Sequence, residues 1–411
     1  MGDPQRDLAV VHVGGTNGKG SACAMLEAIA RVAGLRTGLY TSPHLCRFAE
    51  RIRIDGSPIA DEPFARALSA ALAQADLTFF ETLTVAGLVA MREAEVDLAI
   101  VEVGLGGRLD ATNVIERPAA AAITSIGLDH TALLGADLAS IAREKAAIAK
   151  PAVPLVLGPL APEPAAEVEL VAAARGAAPI WRVRPGAAAA ETTEAAAAQS
   201  VHVAAAEGGR VRISGPGGRA LVVRPGLEGP HQAGNAAVAA ALGWLLGERW
   251  PALPGTVAAG LEAVRWPGRL ERIPLGAAHV LLDCAHNPQA AQALRHALEG
   301  QLAPARTALI FGALSDKAWA EVLGELAPLA ETRYYVEPLG ALARAGRSCV
   351  PPRALQERWP GYALGDVGRT LAQAGAQARA GDTILVTGSI FLVGAVRAAL
   401  LGLERDEAIP L

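Results

Sequence analysis

The sequence predicts an α/β protein of two domains, each with a mostly parallel β-sheet. Its 411 residues are more than one domain of about 150 residues needs. Short apolar runs alternate with segments of helical periodicity, and this alternation is typical of βαβ units. A glycine-rich loop from Gly14 to Gly20 separates the first apolar run from the first helical segment, as in a P-loop. We therefore expect a P-loop domain followed by a smaller, doubly wound, Rossmann-like domain.

The N-terminal domain follows a regular order of strands and helices. Leu8 to Val13 is a Val-rich run that predicts a strand, and the alanine-rich segment from Ser21 to Gly34 predicts a helix. Asp61 is the predicted cap of the next helix. The remaining predicted elements are helices at 63–75, 82–94 and 137–149 and strands at 97–103, 119–125 and 153–157.

Residues 161–226 change in character, with long alanine tracts followed by the segments RVRIS, GPGG and RALVVR. That pattern predicts a β-hairpin in an antiparallel, chemically quiet insert. Helices are predicted next at 235–246 and 256–264. The Pro and Gly content of WPGRLERIPLGAAHV then predicts a boundary, which divides the chain into a domain at 1–267, a linker at 268–276 and a domain at 277–411. Strands of the last domain are predicted at 279–283, 307–311, 334–336 and 383–387.

Composition excludes several classes of protein. Hydrophobic residues make up 52% and charged residues 19% of the chain, which argues against disorder. A net charge of −4 disfavours a dedicated nucleic-acid binder. The longest stretch without charge, 229–247, contains Pro230 and Asn235 and reads poorly as a membrane span. Four widely spaced cysteines and the absence of a secretory signal pattern predict a cytoplasmic protein.

The strongest local motif is VHVGGTNGKGS at residues 11–21. Backbone N–H groups and a helix N-terminus can cradle phosphate oxygens there, and Lys19 would contact the terminal phosphates. The motif departs from GxxxxGK[ST], because Val13 replaces the first Gly and Gly20 separates Lys19 from Ser21. The alternative is a glycine-rich turn with an exposed lysine, but the strand and helix on either side favour phosphate binding.

Acidic and imidazole side chains lie where the next strands end. Glu102 lies near the end of an apolar strand, at the sheet edge where ligands bind, and its carboxylate suits Mg²⁺. An ion pair with Arg108 is the alternative for this carboxylate. Asp129 and His130 follow the next strand, although a single His is more often a structural hydrogen-bonding residue than a metal ligand.

Three further observations are weaker. Lys145 lies in the helical segment AREKAAIAK, whose periodicity predicts an ordinary surface lysine. Arg269, Asp283 and His286 lie at the domain boundary and at a strand end, which suits closure over a nucleotide. Asn-Pro after a strand is also ordinary turn chemistry, so these three residues alone do not establish a site.

Taken together, the ordered motifs resemble those of the folylpolyglutamate synthases and bifunctional dihydrofolate synthases of the Mur ligase superfamily. The resemblance covers nearly the whole chain. It rests on GTNGKGS at 15–21, TSPHL at 41–45, ERI at 50–52, FFETLT at 79–84, EVGLGGRLDATN at 102–113, GLDHTALLG at 127–135, AREKAAI at 142–148, HQAGNAA at 231–237, WPGRLE at 266–271, DCAHNP at 283–288 and GSIFLVG at 388–394.

The resemblance implies a Mur-ligase-like central domain and an ATP-dependent amide ligase. ATP would phosphorylate the carboxylate of dihydropteroate or a reduced folate, and L-glutamate would attack the acyl phosphate. The implied ATP contacts are Asn17, Gly18, Lys19, Gly20, Ser21, Asn235, Arg269, Asp283 and His286. The implied metal ligands, for two Mg²⁺ ions, are Ser21, Ser42, Glu102 and His130. The implied substrate contacts are Thr41, Pro43, His44 and Phe80, and the implied catalytic residues are Lys19, His130 and Lys145.

The resemblance also implies a carbamylated Lys145, which replaces the surface-lysine expectation, and a monovalent cation. It suggests a monomer whose domains close over the reactive acyl phosphate. The sequence departs from the family at two places. Family members carry several tens of residues before the P-loop strand, including part of the dihydropteroate pocket, so the resemblance supports ATP binding more firmly than dihydropteroate binding. Cys284 replaces a small residue, which indicates a tight turn packed against a thiol.

Two alternatives stay open at this level. One is another Mur-type ligase, acting on a UDP-muramoyl peptide, although TSPHL and DCAHNP favour the folate branch. The other is a P-loop protein that binds ATP as a switch or scaffold. A switch would have no need of Arg269, Asp283 and His286, so their substitution would separate the two classes.

Overall fold

The described part of the chain, residues 2–74, 76–186, 199–338 and 348–406, divides into two units in the computed structural model. Unit 1 contains the chain up to Ser42 together with Ala49–Leu227 and His231–Arg265. Unit 2 contains Pro43–Phe48, Glu228–Pro230 and the chain from Trp266 onward.

Unit 1 is built on an eleven-stranded sheet with the order β11-β10-β9-β8-β7-β6-β1-β5-β2-β3-β4. Its strands are β1 (Val10–Gly14), β2 (Thr37–Tyr40), β3 (Ile52–Ile54), β4 (Ser57–Pro58), β5 (Leu98–Glu102), β6 (Ala120–Ile123), β7 (Leu155–Leu157), β8 (Ile180–Pro185), β9 (Ser200–Ala206), β10 (Arg210–Gly215) and β11 (Arg219–Val223). β1 is an interior strand that pairs in parallel with β5 and β6, and all its residues, mostly valine with one histidine, are buried. The predicted mostly parallel sheet is confirmed.

The helices of unit 1 are α1 (Lys19–Val32), α2 (Asp61–Leu72), α3 (Phe79–Glu93), α4 (Thr131–Leu134), α5 (Leu138–Ala146), α6 (Pro162–Ala174), α7 (Gln232–Leu245) and α8 (Leu253–Ala263). The prediction that Asp61 caps α2 is wrong, since Ala60 is the N-cap and Asp61 is helical. An acidic residue in the first turn still complements the helix dipole. α3 begins earlier than predicted because Thr78 and Glu81 form a capping box.

Residues 161–226 are not a separate antiparallel insert. The segment begins with α6, and β8 pairs in parallel with both β7 and β9, so it extends the main sheet. Within this segment β9 pairs antiparallel with β10, and β10 pairs antiparallel with β11, which confirms the predicted β-hairpin. The side chains of Trp181 and Val183 are buried, which favours pairing on both sides of β8. The alanine tract at 187–198 lies outside the described residues.

Unit 2 has a six-stranded sheet with the order β12-β13-β17-β14-β15-β16. Its strands are β12 (Glu271–Leu275), β13 (Ala278–Leu282), β14 (Thr307–Phe311), β15 (Thr332–Val336), β16 (Tyr362–Gly365) and β17 (Thr383–Thr387), and its helices are α9 (Pro288–Leu298), α10 (Trp319–Leu326), α11 (Pro352–Arg358), α12 (Val367–Gln377) and α13 (Ile390–Leu401). Apolar clusters cover both faces of this sheet, as expected for a doubly wound domain.

The linker predicted at 268–276 is instead largely a strand. β12 pairs antiparallel with β13 at the edge of the sheet. Pro274 is tolerated there because an edge strand can lack one ladder hydrogen bond. The Pro and Gly residues that indicated a linker therefore belong to an edge strand and its turns.

None of the helices in the described ranges combines the length and apolar character that crossing a bilayer requires.

Candidate active site

The P-loop of unit 1 joins β1 to α1 and is fastened to the segment that follows β6. The N–H of Thr16 donates to the carbonyl of Ser125 at 2.7 Å, and the N–H of Asn17 donates to the Ser125 hydroxyl at 2.9 Å. The Thr124 hydroxyl donates to the carbonyl of Asn17 at 2.7 Å. These side chains, which sequence reasoning missed, hold the loop in a fixed shape. Their signal was the polar pair that ends an apolar strand.

Gly18 allows the loop to approach α7 closely. Its φ is 85°, and a Cβ at this position would lie 2.3 Å from Oδ1 of Asn235. Asn235 is 8% exposed, and its Nδ2 donates to Oε1 of Gln232 at 2.9 Å. The structure therefore places Asn235 directly beside the P-loop, as the predicted ATP site requires.

Lys19 and Glu102 meet at the carboxyl end of the sheet. Nζ of Lys19 donates to the carbonyls of Gly15 and Thr16, each at 3.1 Å, and lies 4.0 Å from Oε1 of Glu102. The N–H of Ser42 donates to Oε2 of Glu102 at 3.2 Å. One carboxylate thus faces both the P-loop lysine and the backbone of Ser42.

The alternative ion pair of Glu102 with Arg108 is not formed, because Arg108 pairs with Glu144 instead. Nε of Arg108 donates to Oε1 of Glu144 at 2.8 Å. Glu102 itself is 5% exposed at the end of β5, where the sequence predicted it.

Lys145 is buried rather than on the surface. It is 5% exposed, and Nζ donates to the carbonyl of Gly15 at 3.1 Å. Burial, followed by repulsion from Lys19, lowers the pKa of Lys145 to about 7. The pattern-based expectation was wrong because Lys145 lies four residues after Ile141, on the buried face of α5. That spacing was the available signal.

His130 lies on the loop before α4, with a φ of 50°. Its Nε2 lies 3.8 Å from Oδ1 of Asp129, and its side chain is partly exposed. Ser21 is buried in the first turn of α1. Within the described ranges, no group of three or more His, Cys, Asp and Glu side chains could hold a metal ion.

A buried hydrogen-bond chain, which sequence reasoning missed, fixes the loop after Glu102. The Thr112 hydroxyl donates to Oδ1 of Asp110, so it accepts from Nε2–H of His12 at 2.8 Å. Oδ2 of Asp110 accepts the N–H of Leu105 at 2.8 Å. Burial, with repulsion from Lys150, lowers the pKa of His12 to about 3, so the imidazole is neutral. A histidine within an apolar strand was the only signal in the sequence.

Phe80 borders the same loop. A Cβ at Gly104 would lie 2.3 Å from Cζ of Phe80, so the ring lies directly against that glycine. The ring of Tyr40 is 6.3 Å from that of Phe80 between centroids. The N–H of Thr41 donates to the carbonyl of Arg51 at 2.9 Å. Thr41 and Ser42 belong to unit 1, whereas Pro43 and His44 belong to unit 2.

In unit 2, Arg269, Asp283 and His286 lie around the end of β13. Asp283 accepts the N–H of Leu270 at 3.1 Å and that of Ala285 at 3.0 Å, so its carboxylate shapes the turn. Nδ1 of His286 hydrogen bonds to the carbonyl of Cys284 at 2.9 Å, so this ring nitrogen binds the backbone of the same turn.

The predicted tight turn against a thiol is present. Gly268 has a φ of 71°, and a Cβ there would lie 2.9 Å from Sγ of Cys284. Burial raises the pKa of the Cys284 thiol to about 12. The thiol is a packing group in this turn.

Comparison with known domain families places these elements in a class. The Mur ligase middle domain matches residues 13–243, and the glutamate ligase domain of Mur ligases matches residues 268–390. The fold, the P-loop and these two matches define a ligase of the Mur superfamily.

Two relatives and two solved structures narrow the class. The chain is 35% identical to the folylpolyglutamate synthase of Lacticaseibacillus casei, covering 98% of this chain and 92% of that protein. It is 33% identical to the dihydrofolate synthase/folylpolyglutamate synthase of Escherichia coli K12, covering 94% and 85%. Escherichia coli FolC in complex with DHPP and ADP superposes with a TM-score of 0.81 at 31% identity, covering 97% and 91%. A bifunctional folylpolyglutamate synthase/dihydrofolate synthase with Mn, AMPPNP and L-glutamate bound gives a TM-score of 0.80 at 33% identity, covering 97% and 91%.

The chain belongs to the folylpolyglutamate synthase and dihydrofolate synthase family, whose members are ATP-dependent ligases. The prediction of an ATP-dependent glutamate ligase of folate metabolism is confirmed at the level of the family. The UDP-muramoyl-peptide alternative finds no support among these relatives.

Proposed function

We propose that this chain joins the amino group of L-glutamate to the carboxylate of dihydropteroate, of a reduced folate, or of both. A carboxylate oxygen of the pteroyl substrate attacks the γ-phosphorus of ATP, and ADP leaves. The amine then attacks the acyl carbon, inorganic phosphate leaves, and the amine loses a proton. The convergence of Lys19, Glu102 and Lys145 on one P-loop carries this proposal, because phosphoryl transfer needs positioned charge more than covalent help from the protein.

In this proposal the P-loop and its surroundings bind ATP. The backbone N–H groups of Gly18 and Gly20 lie at the N-terminus of α1, where the helix dipole favours phosphate, and Asn17, whose own N–H donates to the Ser125 hydroxyl, precedes them as a further proposed ATP contact. Lys19 neutralises developing charge on the phosphates, and Asn235 borders Gly18. Arg269, Asp283 and His286 are the proposed ATP contacts of unit 2.

The residues present fit a divalent cation. Mg²⁺ prefers hard oxygen ligands and often takes only one or two from protein, with phosphate oxygens and water completing its shell. Glu102 offers a buried carboxylate beside the P-loop, and Ser21 offers a hydroxyl in the first turn of α1. We propose Ser21, Ser42, Glu102 and His130 as ligands for two Mg²⁺ ions, which would neutralise phosphate charge. A monovalent cation is proposed from the family resemblance alone.

Lys145 is proposed to carry a carbamate. A pKa of about 7 leaves much of the amine neutral near physiological pH, and a neutral amine is the form that attacks CO₂. The product is an anion beside Lys19, in place of a second cation. Two experiments test the carbamate. Activity of the wild-type enzyme should rise with added bicarbonate, and acetate should restore activity to Lys145→Ala. Lys19→Ala is the matched control that acetate should leave inactive.

The proposed pteroyl contacts are Thr41, Pro43, His44 and Phe80. Phe80 supports this proposal, because its ring lies against Gly104 at the sheet edge that carries Glu102. We also propose a monomer that acts in the cytoplasm, where the four free cysteines would remain reduced.

The test is phosphate release from Mg-ATP with L-glutamate, with dihydropteroate and tetrahydrofolate in parallel reactions. Turnover with both substrates would establish a bifunctional synthase, and turnover with one would assign the chain to that activity. Lys19→Ala should abolish turnover in every case. Silence with both pteroyl substrates, together with turnover of a UDP-muramoyl peptide, would overturn the proposal.

A further inference from the structure

A short loop of unit 2 lies far from the rest of that unit in sequence. Pro43–Phe48 follows β2 and ends at Phe48, the first residue of a short 3-10 helix at Phe48–Arg51, yet its contacts place it in unit 2. The loop contains Pro43 and His44, which are proposed substrate contacts. The loop contacts residues far along the chain, since Cys46 hydrogen bonds to Gly394, which lies 348 positions later. Its conformation therefore depends on the C-terminal part of the sequence.

Asp406, which follows α13, binds three consecutive residues of this loop. The N–H of Phe48 donates to Oδ2 of Asp406 at 2.6 Å. The N–H of Asp406 donates to the carbonyl of Cys46 at 3.0 Å. Nε of Arg47 lies 3.7 Å from Oδ1 of Asp406. One residue thus supplies a donor, a charged acceptor and an ion pair.

Helix α13 supports the other side of the loop. A Cβ at Gly394 would lie 2.0 Å from the carbonyl oxygen of Leu45, so only glycine permits this approach. Sγ of Cys46 donates to the carbonyl of Gly394 at 3.5 Å. The side chain of Leu45 packs against the apolar cluster that contains Val393. The loop is therefore fixed on one side by close packing and on the other by Asp406.

Within the loop, the proposed substrate contact His44 packs against Phe48. The rings of His44 and Phe48 lie 4.7 Å apart between centroids, at an angle of 68°. Because Phe48 is also the residue whose N–H is bound by Asp406, the two interactions hold the same end of the loop.

We propose that Asp406 is a positioning residue, which holds the loop Pro43–Phe48 in the conformation that binds the pteroyl substrate. It acts through the loop and contacts no reactant. The role in substrate binding rests on the proposed function. The contacts of Asp406 with Cys46, Arg47 and Phe48, here called the clamp, lie within unit 2 alone.

The clamp is tested by limited trypsin digestion, followed by mass spectrometry of the fragment that ends at Arg47. Asp406→Ala removes a charge-assisted hydrogen bond and an ion pair from the loop, so it should speed cleavage after Arg47 by about 10-fold or more. Asp406→Asn keeps an oxygen that accepts the Phe48 N–H and should show a smaller increase. Glu404→Ala, an exposed residue of the same segment, is the matched control and should cleave as wild type does. Equal rates in Asp406→Ala and wild type would overturn the clamp.

The role in binding is tested by steady-state kinetics on the same variants. Asp406→Ala should raise KM for the pteroyl substrate about 10-fold while KM for ATP and kcat change little, and Asp406→Asn should recover part of the loss. A uniform fall in kcat, or an unchanged KM for the pteroyl substrate, would contradict the positioning role. Wild-type protein without activity on any pteroyl substrate would defeat the proposed function instead, and the digestion result would still decide the clamp.

Discussion

Lys145 shows at the scale of one residue how burial changes chemistry. Its helix has an ordinary amphipathic pattern, but the amine lies inside unit 1 and donates to the carbonyl of Gly15. A charged amine is disfavoured there because water cannot solvate it. This cost to the native state is the reason that we expect stability and activity to respond to Lys145 in opposite directions.

Lys145→Met should stabilise the protein at neutral pH while it removes activity. The native pKa of about 7 lies below the ordinary 10.5, so the unfolded chain binds more protons between these values. Wild type therefore loses stability as the pH falls from 10.5 to 7, by at most about 1.4 kcal/mol per pH unit. Lys145→Met lacks that loss, so its free energy of unfolding should rise relative to wild type as the pH is lowered. Denaturant titrations over this pH range, in buffer freed of CO₂ so that Lys145 is an unmodified amine, measure the difference, and parallel curves would show that Lys145 titrates normally.

His12 gives the corresponding prediction in acid. Its native pKa of about 3 lies below the ordinary 6.5, so the stability it contributes is complete above pH 6.5 and is lost as the pH falls toward 3. His12→Gln keeps an N–H donor for Thr112 and removes the titration. The dependence of unfolding free energy on pH should then be shallower by about 1.4 kcal/mol per pH unit in this range. An unchanged slope would mean that the imidazole is not buried in its neutral form.

At the scale of elements, the two ends of α1 offer a matched pair of glycines. Gly18 before the helix and Gly34 after it have φ values of 85° and 83°. A Cβ at Gly18 would lie 2.3 Å from Asn235, whereas a Cβ at Gly34 would meet nothing within 4 Å. Both positions strain an alanine, but only Gly18→Ala also places the new side chain against Asn235 in the proposed ATP site.

Gly18→Ala should therefore weaken ATP binding by roughly 10-fold or more, and Gly34→Ala should not. Left-handed backbone in a residue other than glycine costs about 1 kcal/mol, so both variants should lose a similar amount of stability from this source. Calorimetric titration with an ATP analogue and thermal unfolding separate the two effects. Equal ATP affinities in the two variants would contradict the close approach of Asn235 to the loop.

The capping box of α3 gives a prediction about stability without function. Thr78→Ala removes the side chain that accepts the N–H of Glu81, and loss of such a cap typically costs about 1 kcal/mol. Glu81→Gln is the milder control, because glutamine can still accept the Thr78 N–H. Urea denaturation should rank wild type above Glu81→Gln and Glu81→Gln above Thr78→Ala. Equal midpoints in all three proteins would show that the box contributes nothing.

The elements that the sequence predicted well are those with a strong local pattern. β1, α1, β14 and β17 are apolar runs or periodic segments bounded by glycine or turn residues, and they agree with the predicted ranges closely. β12 was missed because Pro274 and the glycines around it indicate a turn in local context. Its pairing with β13 is a tertiary interaction that no short window contains.

In the candidate site, too, residues of local motifs were predicted and long-range contacts were not. Lys19, Glu102 and Asn235 were predicted and meet at the P-loop, because motif residues at strand ends and helix starts share one edge of the sheet. The hydrogen bonds of Thr124, Ser125 and Thr112 join segments that are distant in sequence. The hydrogen bond from the Phe48 N–H to the carboxylate of Asp406 also joins distant segments, so the sequence alone could not predict it.

At the scale of the whole molecule, each unit has its own sheet and its own apolar core. Length and the alternation of strands and helices predicted two domains with a sheet each, and the predicted bounds 1–267 and 277–411 stay a prediction. They could not predict that Pro43–Phe48 and Glu228–Pro230 belong to unit 2, because long-range contacts rather than local composition assign them.

The most direct test of the account follows the oxygen of the substrate carboxylate. The pteroyl substrate is labelled with ¹⁸O in that carboxylate, and the phosphate released during turnover with ATP and L-glutamate is analysed by mass spectrometry. Formation of an acyl phosphate transfers one carboxylate oxygen to phosphorus, so each phosphate that accompanies product should carry one ¹⁸O. Unlabelled phosphate, released in step with the amide product, would contradict the acyl-phosphate ligase described here.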